Sequence, residues 1–457
     1  MLSQAENELI AQTGPGTPCG ELMRRYWQPA ALSEELPVGG APLPIRLLGE
    51  DLVLFRSPVP SPLEGRAEHE GSSIGCLAIH CSHRGADLSY GRPEDGGLRC
   101  IYHGWLYDRN GRCLEQPGEP AGSAFHEKIR HTAYPCVERA GAIFAYLGPG
   151  QPPEFPNYEF LLPWPEESRD VTKRYHECNY LQAIEGNSDT SHLSFLHYLN
   201  LPHGGDATAN QGTSGALQHR GPRPGLEVME VERTPYGVRG ARHGGWGALS
   251  DIYNITEFIL PNLGAFSNDT DAVISADAAQ PALPGHPGYS VHWHVPIDDT
   301  HHWKYTFSFS SRGPLGARYR GRTEMVDYRP VRNLSNRFLQ DREEMVDGTY
   351  AGLGRDFQLH DKFATESQGP LQDRTAEHLG ALDTPLMICR EILLKAIRDL
   401  QEGLEPANVV RDPQSNHLPI VPVRAIVPLG TEWDWKAHRF GDLPSELAGV
   451  GTGAANL

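Results

Sequence analysis

Apolar positions recur at three- and four-residue spacing near both ends of the chain. Residues 4–13 (QAENELIAQT) predict a short amphipathic helix, stopped by Gly14-Pro15-Gly16. GELMRRYW follows as a second helical stretch, and DTPLMICREILLKAIRDLQEG predicts a long amphipathic helix towards the other end. Between about residues 40 and 150 the period changes. PIRLLGEDLVLFR has two apolar runs around Gly49-Glu50-Asp51 and predicts a hairpin. IGCLAIHC, GLRCIYHG and GAIFAYLG are further short apolar runs bounded by glycine. This region therefore predicts an all-β, turn-rich unit.

The segment GPGQPPEFPNYEFLLPWPEES is rich in proline and lacks a period, so the domain boundary is placed there, with units at 1–155 and 156–457. In the second unit NYLQAIEGNSDTSHLSFLHYL is helix-like. GLEVMEVERT, DIYNITEFIL, YSVHWHVPI and WKYTFSFSS are strand-like. The fold class expected is α+β, a substantial sheet with helices at its margins. The stretch between Pro58 and Ser73 is polar and proline-rich and predicts an exposed loop.

Composition narrows the function. The 457 residues carry a formal charge of -18, which makes nucleic acid a poor partner. No apolar run is long enough to span a bilayer, and the first residues lack the basic and apolar regions of a signal peptide. The expected location is the cytoplasm, with no membrane partner. Eight cysteines are too few for a disulfide scaffold in a chain of this length. Cys19, Cys76, Cys113, Cys136, Cys178 and Cys389 have no histidine at ligand spacing and are expected to be buried hydrophobes or bystanders.

The other two cysteines differ. In CSHRGADLSYGRPEDGGLRCIYHGW, Cys81 pairs with His83 and Cys100 with His103. Two metal readings fit: a structural zinc site, and a Rieske [2Fe–2S] centre in which two Cys hold one iron and two His the other. Each pair supplies one Cys and one His, so each of two loops can reach both irons. The first pair is spaced by one residue, tighter than usual for zinc, and both pairs run into glycine, at Gly85 and Gly104. These features favour the cluster.

A second set lies in EGNSDTSHLSFLH. His192 and His197 are five apart, about 140° on a straight helix, so only a break or a π-bulge would converge them. Taken alone, histidines in such a segment are most often packing or surface residues.

CSHRGADL and CIYHGW resemble the two cluster-binding loops of the Rieske family, including Arg84 and Trp105. Ser82 departs from the common proline, which puts loop stiffness in question rather than ligation. Downstream, D-x-x-H-x-x-x-x-H resembles the catalytic iron motif of Rieske non-haem iron oxygenases. The resemblance runs over essentially the whole chain and points to the phthalate-dioxygenase-like branch. It implies an N-terminal all-β Rieske domain followed by an α+β catalytic domain, an antiparallel sheet with helices in a helix-grip-like arrangement. It implies His192 and His197 as iron ligands and Asp361 as the third, completing a 2-His-1-carboxylate triad. Glu366 is the reserve and Asp356 the weaker match. It implies that Asp189 bridges a Rieske histidine (here His103) of one subunit and His192 of its neighbour.

The function implied is O₂ activation to hydroxylate an aromatic substrate, with a carboxylated aromatic and ring cis-dihydroxylation as the first expectation. Aryl ether O-demethylation is the alternative, and an electron-transfer Rieske protein without catalysis a distant one. The cofactors implied are a [2Fe–2S] cluster and a mononuclear Fe(2+). Electrons would come from NAD(P)H through a separate flavin and iron–sulfur reductase, since the chain has no dinucleotide fingerprint in strand–helix context. Homotrimers or stacked trimers are implied. A carboxylate would call for an arginine. Arg220, Arg223, Arg233, Arg239 and Arg242 are available, and none is singled out. Phe195, Leu196 and VHWHVPI could line the pocket, with core packing the simpler reading.

Overall fold

A computed structural model of the chain describes residues 1–58, 73–198, 227–246, 250–267, 272–273, 288–311, 313–315, 323–430 and 433–437. The expected loop after Pro58 falls almost wholly outside the described residues. The chain forms two compact units. The smaller comprises Thr13–Pro156 with Val409–Asn416; the larger comprises Met1–Gln12, Asn157–Asn408 and His417–Gly451.

The smaller unit holds helix α2 (Pro18–Met23) and three small antiparallel sheets. One pairs Leu43–Leu47 with Glu50–Ser57, then Ser73–Ala78 and Ala133–Tyr134. The hairpin turn falls at Leu48 and Gly49, both with positive φ, one residue earlier than the sequence suggested. A second sheet runs Arg92–Glu94, Gly97–Arg99, Leu106–Tyr107, Cys113–Glu115. Val53, Phe55, Leu77, Leu88, Leu98, Trp105 and Tyr107 form a core that includes Cys81 and Cys100. All eight cysteines are free thiols.

The larger unit is built on a nine-stranded sheet. Its main path is Arg169–His176, His301–Phe309, Ser290–Asp298, Leu263–Phe266, Ser250–Ile259, Gly237–Trp246, Glu227–Thr234, antiparallel throughout. Three of these strands were not anticipated. In Gly237–Trp246 and Arg169–His176 the buried positions include Arg239, Arg242, Arg174 and His176, so the usual apolar alternation is missing. Val423–Pro428 shares one edge of Ser250–Ile259 with Leu263–Phe266.

Helix α1 (Gln4–Ala11) opens with a capping box: the Ser3 hydroxyl accepts from the Glu6 amide, and the Glu6 carboxylate accepts from the Ser3 amide. It belongs to the larger unit, which corrects its placement in the N-terminal domain. Its carbonyls cap neighbours there: Asn179 donates to the Ala11 oxygen and Tyr180 to that of Ile10.

Helix α3 (Tyr180–Ser188) lies on the sheet and touches α1, α5 (Phe357–Glu366) and α6 (Thr384–Gln401), while α4 (Glu344–Asp347) is a single turn. Buried Glu185 of α3 accepts from Arg374 at 2.9 Å and from Arg390 at 2.6 Å. Burial opposes its ionisation, but the two guanidinium groups prevail and hold its carboxyl below the ordinary value. Because the folded value is depressed, the stabilisation is present above the ordinary carboxylate range and lost as pH falls through the folded value. Glu185→Gln is expected to cost roughly 3–5 kcal/mol, because among the described residues it leaves Arg374 buried without an anion while Arg390 keeps only Glu377. Denaturant unfolding at neutral pH should show the lower midpoint, and the gap to wild type should narrow in acid.

Candidate metal centres

The two cysteine–histidine loops have the same internal wiring. The Cys81 amide donates to the Ala86 carbonyl and the Gly85 amide to that of Cys81, both at 2.8 Å. The Cys100 amide donates to the Trp105 carbonyl at 2.8 Å and the Gly104 amide to that of Cys100 at 2.9 Å. Closing these turns needs left-handed backbone at Gly85 (φ 74°) and Gly104 (φ 76°), the conformation glycine adopts without cost. Both thiols are buried, whereas His83 and His103 are exposed. The imidazole centroids lie 4.5 Å apart, with His83 stacked on Trp105.

Thiols inside and imidazoles outside suit a binuclear cluster, with one iron for each pair of like donors; a single zinc would need all four around one point. Burial and the neighbouring Cys81 thiol raise the Cys100 pKa, while the Tyr102 and His103 amides, aimed at its sulfur, lower it. Such donors stabilise a thiolate.

The structure also answers the question posed by Ser82. Its hydroxyl meets Nδ1 of buried His131 at 2.7 Å, and His131 Nε2 donates to the Ala78 carbonyl at 2.7 Å. A hydrogen bond thus anchors the loop where a proline ring would stiffen it. His131 had no signal in the sequence, being 49 positions from Ser82 along the chain.

In the larger unit, α3 ends at Ser188, so the helix-like stretch is interrupted by the kind of break that convergence of His192 and His197 requires. Asp189 is extended (φ -89°, ψ 115°) and a 3₁₀ turn, Ser191–Ser194, follows. Asp189 Oδ1 accepts from the Ser191 amide at 2.6 Å and holds the turn; Arg242 supports it from the sheet by donating to the Thr190 carbonyl. This break brings His192 and His197 together. Their Nε2 atoms lie 3.5 Å and 3.0 Å from the same oxygen, Oδ1 of Asp361 on α5. Among the described residues these three form the one group with donors placed to share a metal ion, all within 4.8 Å of one another.

His197 is clamped: its ring stacks on Phe357 at 3.6 Å and on His360 at 5.2 Å. Burial pushes its pKa down to about 4 despite Asp361, so it presents a neutral nitrogen. Burial also opposes protonation of His192, but Asp189 and Asp361 outweigh it and raise the value to about 10. A bound cation would take the place of that proton. Asp189 lies 3.5 Å from His192 Nδ1 and is itself held down at about 2, burial being outweighed by His192 and Ser191.

The other two carboxylates considered have different work. Glu366 pairs with Lys362 inside α5 and accepts from the Glu177 amide at 2.7 Å. Asp356 caps α5 through the Gln358 amide. Of the five arginines, Arg233 pairs with Glu391 and Arg239 with Glu232 and Glu257; Arg220 and Arg223 lie outside the described residues.

Residues 26–134 match the Rieske [2Fe-2S] domain, and residues 145–445 match the family described as LigXa C-terminal domain like. The phthalate 4,5-dioxygenase oxygenase subunit of Pseudomonas putida is 34% identical over 421 residues, covering 88% of each chain. The chain belongs to the Rieske non-haem iron oxygenases. The 3-chlorobenzoate-3,4-dioxygenase oxygenase subunit of Comamonas testosteroni is 30% identical to this Rieske oxygenase, over 94% of this chain and 96% of its own. The 5,5'-dehydrodivanillate O-demethylase oxygenase subunit of a Sphingobium species is 30% identical over 91% and 85%. Among solved structures, dicamba monooxygenase bound to dicamba superposes with a TM-score of 0.53 at 18% identity, over 83% of this chain and 98% of that one. The expected all-β Rieske domain and α+β catalytic domain are thus those of this Rieske oxygenase. Oxygenase subunits of the family use a mononuclear iron beside the Rieske cluster and draw on a reductase. No helix among the described residues is long and apolar enough to cross a membrane.

The Tyr107 hydroxyl lies 3.2 Å from Cys81 Sγ. A donor to a cluster sulfur raises the reduction potential. Tyr107→Phe should lower it by ~40 mV, the equivalent of one net hydrogen bond of about 1 kcal/mol for a one-electron couple. Potentiometric titration followed by EPR would measure the change.

Proposed function

We propose that this chain is the oxygenase component that hydroxylates a carboxylated aromatic substrate, first by ring cis-dihydroxylation. The carrying observation is the convergence of His192 and His197 on Asp361 Oδ1. In this reading Cys81, His83, Cys100 and His103 hold the cluster, and His192, His197 and Asp361 hold Fe(2+). Bound there, the cluster would supply single electrons and Fe(2+) would supply O₂ chemistry. The protein's own part is to position. Phe357 and His360 fix the plane of the His197 ring, and Asp189 orients His192 through Nδ1. Asp189 is also the residue proposed to reach His103 of a neighbouring subunit, in trimers or stacked trimers.

The carboxylated substrate is favoured by two relatives whose names specify phthalate and 3-chlorobenzoate. O-demethylation is the second reading, favoured by the similarity to the dehydrodivanillate O-demethylase subunit. Electrons are proposed to come from NAD(P)H through a separate flavin and iron–sulfur reductase, in the cytoplasm.

Turnover of an aromatic-acid panel with a surrogate reductase tests the function. A cis-diol product supports the first reading, formaldehyde the second, and full metal content without O₂ uptake on any aromatic would refute both. Asp361→Asn should lower iron from about three to about two per chain and leave sulfide at about two. Metal and sulfide analysis reads this directly. Asp189→Asn should keep both metals yet lose most turnover; stopped-flow reoxidation of the reduced cluster should slow in parallel, and unchanged turnover would remove Asp189 from this role.

A further inference from the structure

The sheet of the larger unit has two unlike faces at one end. On one, Trp293, Phe307 and Phe309 pack against Tyr158, Phe160 and Trp164. The other lies towards α3 and is polar although buried. Cross-strand register aligns Arg174, Lys304 and His294 in one row, with His176 and His302 in the next. Directly opposed residues of antiparallel strands project from the same face.

The histidines of this face use their donors on one another. His302 Nδ1 donates to the Cys178 carbonyl at 2.8 Å, so its Nε2 accepts from His294 Nδ1 at 3.1 Å. His294 Nε2 then accepts from Asn187 Nδ2 at 2.7 Å, and Asn187 Oδ1 accepts from His292 Nδ1 at 3.2 Å. Anchored at one carbonyl, this chain fixes every tautomer along it. Burial keeps these imidazoles well below their ordinary pKa, hence neutral. They neither attract an anion nor neutralise one.

The two basic groups beside them have no ion pair at contact distance among the described residues: burial lowers the pKa of both, Lys304 to about 7, with Asp361 and Asp356 opposing the shift. Arg174 is 4% exposed and its guanidinium makes no hydrogen bond or ion pair among the described residues; its Nε is buried without a partner. Lys304 is 2% exposed and donates only to the neutral Gln358 amide, one turn before Asp361 on α5. The nearest acids, Asp356 and Asp361, are engaged in capping α5 and with His192 and His197. Opposed like charges destabilise a sheet, and buried unpaired charges do so more strongly. An anion between them would reverse both effects.

We propose that Arg174 and Lys304 form the subsite that binds the carboxylate of the aromatic substrate, beside the His192–His197–Asp361 donors. This rests on the aromatic-acid reading above and names the residues that would enforce it. Arg174 offers a planar fork suited to a carboxylate, and Lys304 a point charge. Lys304 would exchange its hydrogen bond to Gln358 for one to the carboxylate.

Calorimetric titration of the holoenzyme with benzoate and phthalate, and with benzamide as the neutral counterpart, tests the proposal. Wild type should prefer the acids. Arg174→Gln and Lys304→Met should each weaken acid binding at least about tenfold and leave benzamide within about twofold. Both variants should retain wild-type iron content and, without ligand, melt no lower than wild type, since each relieves a like-charge contact. Equal losses for acid and amide, or lower melting with no change in preference, would mean a structural role and overturn the proposal. Acid preference that survives both substitutions overturns it while leaving the aromatic-acid reading intact. A wild type that binds benzamide but no acid overturns both.

Discussion

The placement of His192, His197 and Asp361 in the larger unit hangs on one buried carboxylate. Glu185 sits between Arg374 and Arg390 and locks α3 in place. Arg374 also donates to Asn7, and Arg390 to Glu377, so the same network ties α1 and α6 to α3. Buried ions repay their desolvation only when geometry and hydrogen bonding are complete. Here they are, and the register of α3 is fixed. Asn187, Asp189 and His192 take their positions from that register.

The second constraint is where α3 stops. A continuous helix would hold His192 and His197 on different faces. Asp189 ends the helix and accepts from the Ser191 amide, a local hydrogen bond of the kind that competes with helix continuation. The 3₁₀ turn then delivers both imidazoles to Asp361. The smaller unit solves its own problem with two similar glycine-closed turns that bury thiols and expose imidazoles. A short rigid turn places the donors in each unit, and a carboxylate or an aromatic ring fixes their orientation.

Much of this was legible along the chain. Cys81, His83, Cys100, His103, Gly85 and Gly104 lie within local motifs, and local spacing survives folding. The amphipathic α6 and the capped α1 were equally clear, because a single apolar face repeats along each. Other features were not legible for a common reason. Gly237–Trp246 and Arg169–His176 bury charge, so the alternation that marks a strand is erased. Those same positions include Arg174 and His176. His131, which anchors Ser82, and Arg242, which supports Thr190, act across long stretches of chain that no spacing rule connects.

The sequence by itself determined the family, the two-domain plan and the donors that occur in tight motifs, because these depend on residues adjacent along the chain. Only the tertiary structure decided that α3 breaks at Asp189, that Asp361 rather than Glu366 or Asp356 meets the histidines, and that α1 joins the larger unit. It also decided which cations are spent on internal partners and which are left facing one another. Each of these turns on which groups share a buried space, where an unpaired charge is expensive and a partner may come from any distance in sequence.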